Sequence, residues 1–85
     1  MSPYLDKVKP LTQVKEGHTV YFSHIDAGRT AKTRMLSMGL RKGTPLKLAK
    51  SSRSGPFVIN LRGNRMVLGR GVTDKIMISE EPLPE

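Results

Sequence analysis

Acid–base, metal or electrostatic chemistry in this 85-residue chain has to come from two histidines, seven carboxylates, five methionines and fifteen lysines and arginines; there is no cysteine. A general acid and base must be held as a pair in a pocket. His18 sits in a predicted turn, His24 in a predicted strand, and the acids are few and scattered, so the sequence predicts no enzyme. His24 and Asp26 are spaced i, i+2 and share one side of a strand, which offers two ligands to a divalent transition metal. Two ligands are too few for a closed structural site. The expectation is therefore a weakly held metal at most and no required cofactor; the plainer reading is a surface histidine beside a turn-forming aspartate. Met35, Met38, Met66 and Met77 offer soft sulfur to Cu(I), but their helical and strand spacing suits core packing better. Gly28 and the Gly39/Gly43 pair fit no phosphate-cradling motif, because the Lys-Ser/Thr that must follow is missing.

Positive charge is the larger resource. From Ala27 to Lys75 there are twelve basic residues and one acid, Asp74, whereas Glu80, Glu81 and Glu85 gather in the tail. Such a body attracts acidic protein surfaces, phosphate backbones and anionic lipid alike. Lys32 and Arg34 on a predicted helix, with Arg29 on its flank before the start and Arg41 and Lys42 just past its end, form the candidate partner-binding surface. Stacking on single-stranded nucleic acid needs exposed aromatics, and Tyr4, Tyr21, Phe22 and Phe57 are the only ones present. Nucleic acid is therefore the less favoured partner.

The elements that must position these groups follow from spacing. Ala31, Met35 and Met38 fall at i, i+4 and i+7, one face of a helix, with Thr30 placed to cap its start. Gly39 reads as the left-handed residue after the helix, Leu40 as folding back on its apolar face, and Gly43 as a turn into the alternation Pro45 to Lys50. Thr19 to Ile25 reads as a strand, and so do segments at about 45 to 50, 57 to 62, 65 to 69 and 75 to 79. Gly55-Pro56, Gly63-Asn64 and Arg70-Gly71 are the breaks between them, Gly63-Asn64 as a two-residue hairpin turn. Phe57, Ile59 and Leu61 point inward with Leu46, Leu48, Met66, Leu68, Ile76 and Ile78. The fold class predicted is mainly β, a small SH3-like, partly open barrel of about five strands with one short helix. Residues 1–9 read as a loosely packed arm, 10–79 as the domain and 80–85 as an acidic tail. No segment has the pattern of a signal peptide or the length of a membrane span, which predicts a cytoplasmic protein.

The run Met35-Leu36, Met38-Gly39-Leu40 and Gly43 resembles the FeoA domain family, whose members look like Leu-x-x-Met/Leu-Gly-Leu/Met-x-x-Gly. Gly55-Pro56, the hairpin of Phe57 to Leu61 with Met66 to Leu68, and Ile76-Met77-Ile78 extend the resemblance downstream. Pro10-Leu11 and Gly17 before Val20-Tyr21-Phe22 extend it upstream, over roughly residues 10 to 79. Lys42 stands where the family often has proline, no aspartate separates Gly55 from Pro56, and Val72-Thr73-Asp74 replaces an alanine-containing stretch. The resemblance implies a cytoplasmic accessory protein of bacterial ferrous iron uptake, acting by contact with the GTP-binding membrane transporter FeoB. A place at the inner face of the membrane, where anionic lipid adds to the attraction, would follow. Two alternatives stay open, a small nucleic-acid-binding β-barrel and a stand-alone relative of the FeoA-like domain of metal-dependent repressors. The second lacks the helix pair that reads DNA.

Overall fold

Period-two alternation writes most of the sheet. In β2 (Thr19–Ile25), β3 (Pro45–Lys50) and β4 (Phe57–Leu61), buried Val20, Phe22, Leu46, Leu48, Phe57, Ile59 and Leu61 are separated by more exposed residues. One face of each strand is therefore withdrawn from water. The structure, a computed structural model, describes residues 8–52 and 55–82. Within them β1 (Val8–Pro10), β5 (Asn64–Leu68) and β6 (Ile76–Ser79) complete an antiparallel sheet in the order β1-β6-β2-β3-β4-β5. Two helices punctuate it, α1 (Arg29–Ser37) and the four-residue α2 (Arg70–Thr73), with a 3-10 turn at Leu11–Gln13. The core runs along the inner sheet face, from Leu11 and Ile78 through Leu48 and Ile59 to Leu40, each wholly buried. The architecture is the mainly β, SH3-like one expected, with a sixth strand.

Four local readings change. Val8–Pro10 is a strand on β6, in register Lys9 with Ile78, where the sequence suggested a loose arm; residues 1–7 lie outside the described residues. The helix is not capped by Thr30, which is its second residue; Gly28 occupies the cap position and supplies no side-chain bond. Arg70-Gly71 belongs to a helical turn rather than a simple break. There the Thr73 hydroxyl, fully buried, donates to the Gly69 carbonyl at 2.9 Å. The hairpin turn is Arg62-Gly63, one residue earlier than predicted, since Leu61 pairs with Asn64.

That last shift is costly for the chain. Both turn residues have positive φ, +52° at Arg62 and +83° at Gly63, the signature of a type I′ turn whose twist matches the strands. Asparagine tolerates this backbone better than arginine does. Arg62→Asn is expected to stabilise the domain by about 0.5 to 1 kcal/mol, read as a raised urea midpoint with an unchanged slope.

Candidate functional site

The helix-to-strand joint builds the site. At the end of α1 the Gly39 amide donates to the Leu36 carbonyl and the Leu40 amide to the Met35 carbonyl, both at 3.0 Å. This is the paired bonding of a Schellman motif, with Met35 and Leu40 making the apolar contact that accompanies it. Both are buried, with Met38 partly so beside them. Gly39 holds φ +91°, and a Cβ there would meet nothing within 4 Å. The demand for glycine is thus conformational, not steric. Gly39→Val should cost about 1 to 3 kcal/mol; an unchanged melting temperature would refute the left-handed requirement.

Beyond Leu40 the chain turns at once. Thr44 donates its amide to the Arg41 carbonyl at 2.9 Å and accepts the Arg41 amide on Oγ1 at 3.1 Å, with Gly43 at φ +90° between them. Gly43 and Phe22 are joined by an amide-to-carbonyl bond of 2.8 Å, and the Phe22 amide reaches Thr44 at 2.9 Å. Arg41 and Lys42 are thereby held against the second half of β2. Gly55-Pro56 stands apart from this joint, before β4, where the Gly55 amide donates to Ser52 Oγ at 2.8 Å and a Cβ on Gly55 would lie 2.9 Å from that oxygen.

A groove of about 450 Å³ results between β2, α1 and the joint. Buried Phe22, Ile25 and Leu40 form its floor, Leu36 stands 56 % exposed along it, and Lys32, Arg41, Lys42 and His24 rim it. None of its lining residues is acidic. Lys32 and Leu36 are one helical turn apart and face it together. The five candidate partner-binding residues do not form one patch. Arg29 and Arg34 line a second hollow of about 360 Å³ on the side of α1 that faces Val72, whereas Lys32, Arg41 and Lys42 line the first.

His24 reaches the groove through an irregularity in β2. The register against β6 slips between Phe22 and His24, so Ser23 is an extra residue that reverses the alternation. Phe22 is buried and His24, two residues on, is exposed; the Ser23 hydroxyl lies 2.9 Å from His24 Nδ1. Asp26 is exposed and does not line the groove. Among the described residues no three His, Asp or Glu side chains gather where they could hold a metal ion. Glu16 Oε1 accepts the Ser51 amide at 2.7 Å and its hydroxyl at 3.2 Å, and those bonds hold the carboxyl below its ordinary value of 4.5.

Sequence reasoning missed Leu36, Phe22 and Ile25 as parts of this site. One signal was present: Leu36 lies about 100° around the helix from Met35, off the apolar stripe, where a leucine gains nothing from the core.

The FeoA domain model matches residues 9–80. The chain belongs to the FeoA domain family. Among its relatives is the "Putative Fe(2+) transport protein A" of Methanocaldococcus jannaschii, 39 % identical over 71 residues, or 84 % of this chain and 85 % of that one. The crystal structure of an iron uptake regulatory protein, FeoA, superposes with a TM-score of 0.77 at 29 % identity, covering 85 % of this chain and 96 % of the other. A manganese-dependent transcriptional repressor shares the fold at 18 % identity and a TM-score of 0.74, through 41 % of its longer chain. The FeoA fold thus stands alone in some proteins and forms one part of a larger chain in others.

Proposed function

We propose that this FeoA-family chain is a non-enzymatic accessory protein of ferrous iron uptake, working at the cytoplasmic face of the membrane. Its partner is the cytosolic part of a FeoB-type transporter, a segment of which occupies the groove between β2 and α1. The observation that carries this reading is the groove's composition: an apolar floor and an exposed Leu36 inside a rim of Lys32, Arg41 and Lys42 with no acid among the lining residues. A buried apolar anchor surrounded by charge is how protein partners are gripped and steered. The family membership and the iron-transport relative from Methanocaldococcus jannaschii support the iron system. No cofactor is needed for such contact, and a divalent metal at His24 and Asp26 would be held weakly. The nucleic-acid reading loses support, because Phe22 and Phe57 are buried and Tyr21 is half-buried.

Co-purification with the detergent-solubilised transporter tests the proposal. The native chain should be retained at low salt, released as salt rises, and lost when Arg41 and Lys42 are both changed to Glu. Failure of retention, together with RNA or DNA binding well tighter than the ~10⁻⁴ to 10⁻⁶ M of non-specific attraction, would replace this function with the alternative.

A further inference from the structure

β5 is the last strand of the sheet, and among the described residues no strand lies on its other side. Its pairing with β4 shows which backbone groups are left over. Leu61 and Asn64 close a two-residue turn, so they exchange both of their hydrogen bonds, and the antiparallel alternation puts Ile59 with Met66 and Phe57 with Leu68 in the same class. Arg65 and Val67 belong to the other class. Their N–H and C=O groups point away from β4, just as those of Asn60, across from Arg65, turn towards Lys47 on β3.

The side chains of the same two residues stand on the outer sheet face. Arg65 is exposed and Val67 is 65 % exposed, directly across from half-buried Val58. β3, β4 and β5 carry Lys47, Lys50 and Arg65 and not one acidic residue, and Arg62 adds a further positive charge in the turn. The opposite edge is unlike it: β1 has three residues, ends on Pro10, and its Lys9 is ion-paired with Glu80. A basic residue alone on an edge strand is a guard against unwanted pairing. An exposed valine two residues along the same edge does the reverse, because it rewards a strand that covers it.

We infer that the free edge of β5 is a strand-addition site for an extended acidic segment of a partner protein. Main-chain bonds to Arg65 and Val67 supply the affinity, and the two side chains supply the choice. In an antiparallel addition the residue opposite Val67 comes two positions before the residue opposite Arg65, and both lie on one face. The segment it takes therefore reads apolar-x-acidic, its apolar side chain covering Val67 and Val58 and its carboxylate meeting Arg65. This site shares no residue with the groove, so either can fail without the other.

The probe is an N-acetylated, C-amidated peptide Thr-Thr-Val-Thr-Glu-Thr, added to the ¹⁵N-labelled full chain, with a control peptide in which Val and Glu exchange places. At saturation, hydrogen exchange at the Arg65 and Val67 amides should slow by about tenfold or more, while that of Met66, already bonded to β4, stays as it was. Val67→Pro removes one edge donor without touching the β4 ladder and should weaken binding about three- to tenfold. Should that variant unfold, methylation of the peptide's valine nitrogen removes the other bond of the same pair, from the peptide amide to the Val67 carbonyl, and should weaken binding to a similar extent. Unchanged exchange at Arg65 and Val67 at millimolar peptide, or equal binding of the control peptide, would overturn the inference; the latter would mean that only charge is being read.

Discussion

Leu40→Ala is expected to destabilise the domain by about 2 to 5 kcal/mol, the usual cost of removing a large aliphatic side chain that the surroundings cannot replace. Leu40 is wholly buried, and it is the residue through which the Schellman motif grips the core. Its amide is committed to the Met35 carbonyl, so the backbone cannot follow a shrinking side chain inward. A cavity should remain under α1. Against a total stability of about 5 to 15 kcal/mol for a domain of ordinary size, that loss would populate the unfolded state measurably at moderate urea. Equilibrium unfolding reads it directly, as a lowered midpoint at constant slope. A loss below about 1 kcal/mol would mean that the joint rests on the core without being part of it.

Leu36→Asp should have the opposite profile, small in stability and large in binding. The side chain is 56 % exposed, so its replacement should change stability by only about 0.5 kcal/mol. As the exposed apolar side chain of the groove that the partner segment would cover, it should account for about 2 kcal/mol of affinity or more, a loss of roughly thirtyfold. Titration calorimetry with the transporter's cytosolic domain measures both the loss and its origin. Arg34→Glu makes the comparison sharp. Arg34 lines the second hollow and Arg41 the first, so Arg34→Glu should change affinity by less than about threefold while Arg41→Glu costs more. Equal losses would show that the partner wraps the whole helix, and the groove would no longer mark the contact.

The strands Thr19–Ile25 and Pro45–Lys50 coincide with their sequence-predicted spans, because alternation between two faces is a local property of the chain. The α1 face of Ala31, Met35 and Met38 was legible for the same reason. Thr30 misled, since a good capping residue does not choose where a helix starts when the chain entering from Ile25 has already set that point. β1 was hidden because three residues carry no periodicity and their partners on β6 are some seventy positions away. The Arg62-Gly63 turn was missed because Gly63-Asn64 satisfies the local turn preference, and both registers keep Ile59, Leu61 and Leu68 on one face, so alternation does not distinguish them; the structure sets Phe57 across from Leu68.

By itself the sequence determined the composition of the surface, twelve bases to one acid across the body of the domain, and the joint whose glycine and leucine end the helix. It could not say how that charge is divided. Tertiary packing sends Arg29 and Arg34 to one flank of α1 and Lys32, Arg41 and Lys42 to the other, and an extra residue at Ser23 turns His24 outward. The reason is that charge and turn chemistry belong to single residues, whereas a groove exists only where segments far apart in the chain leave apolar surface between them uncovered.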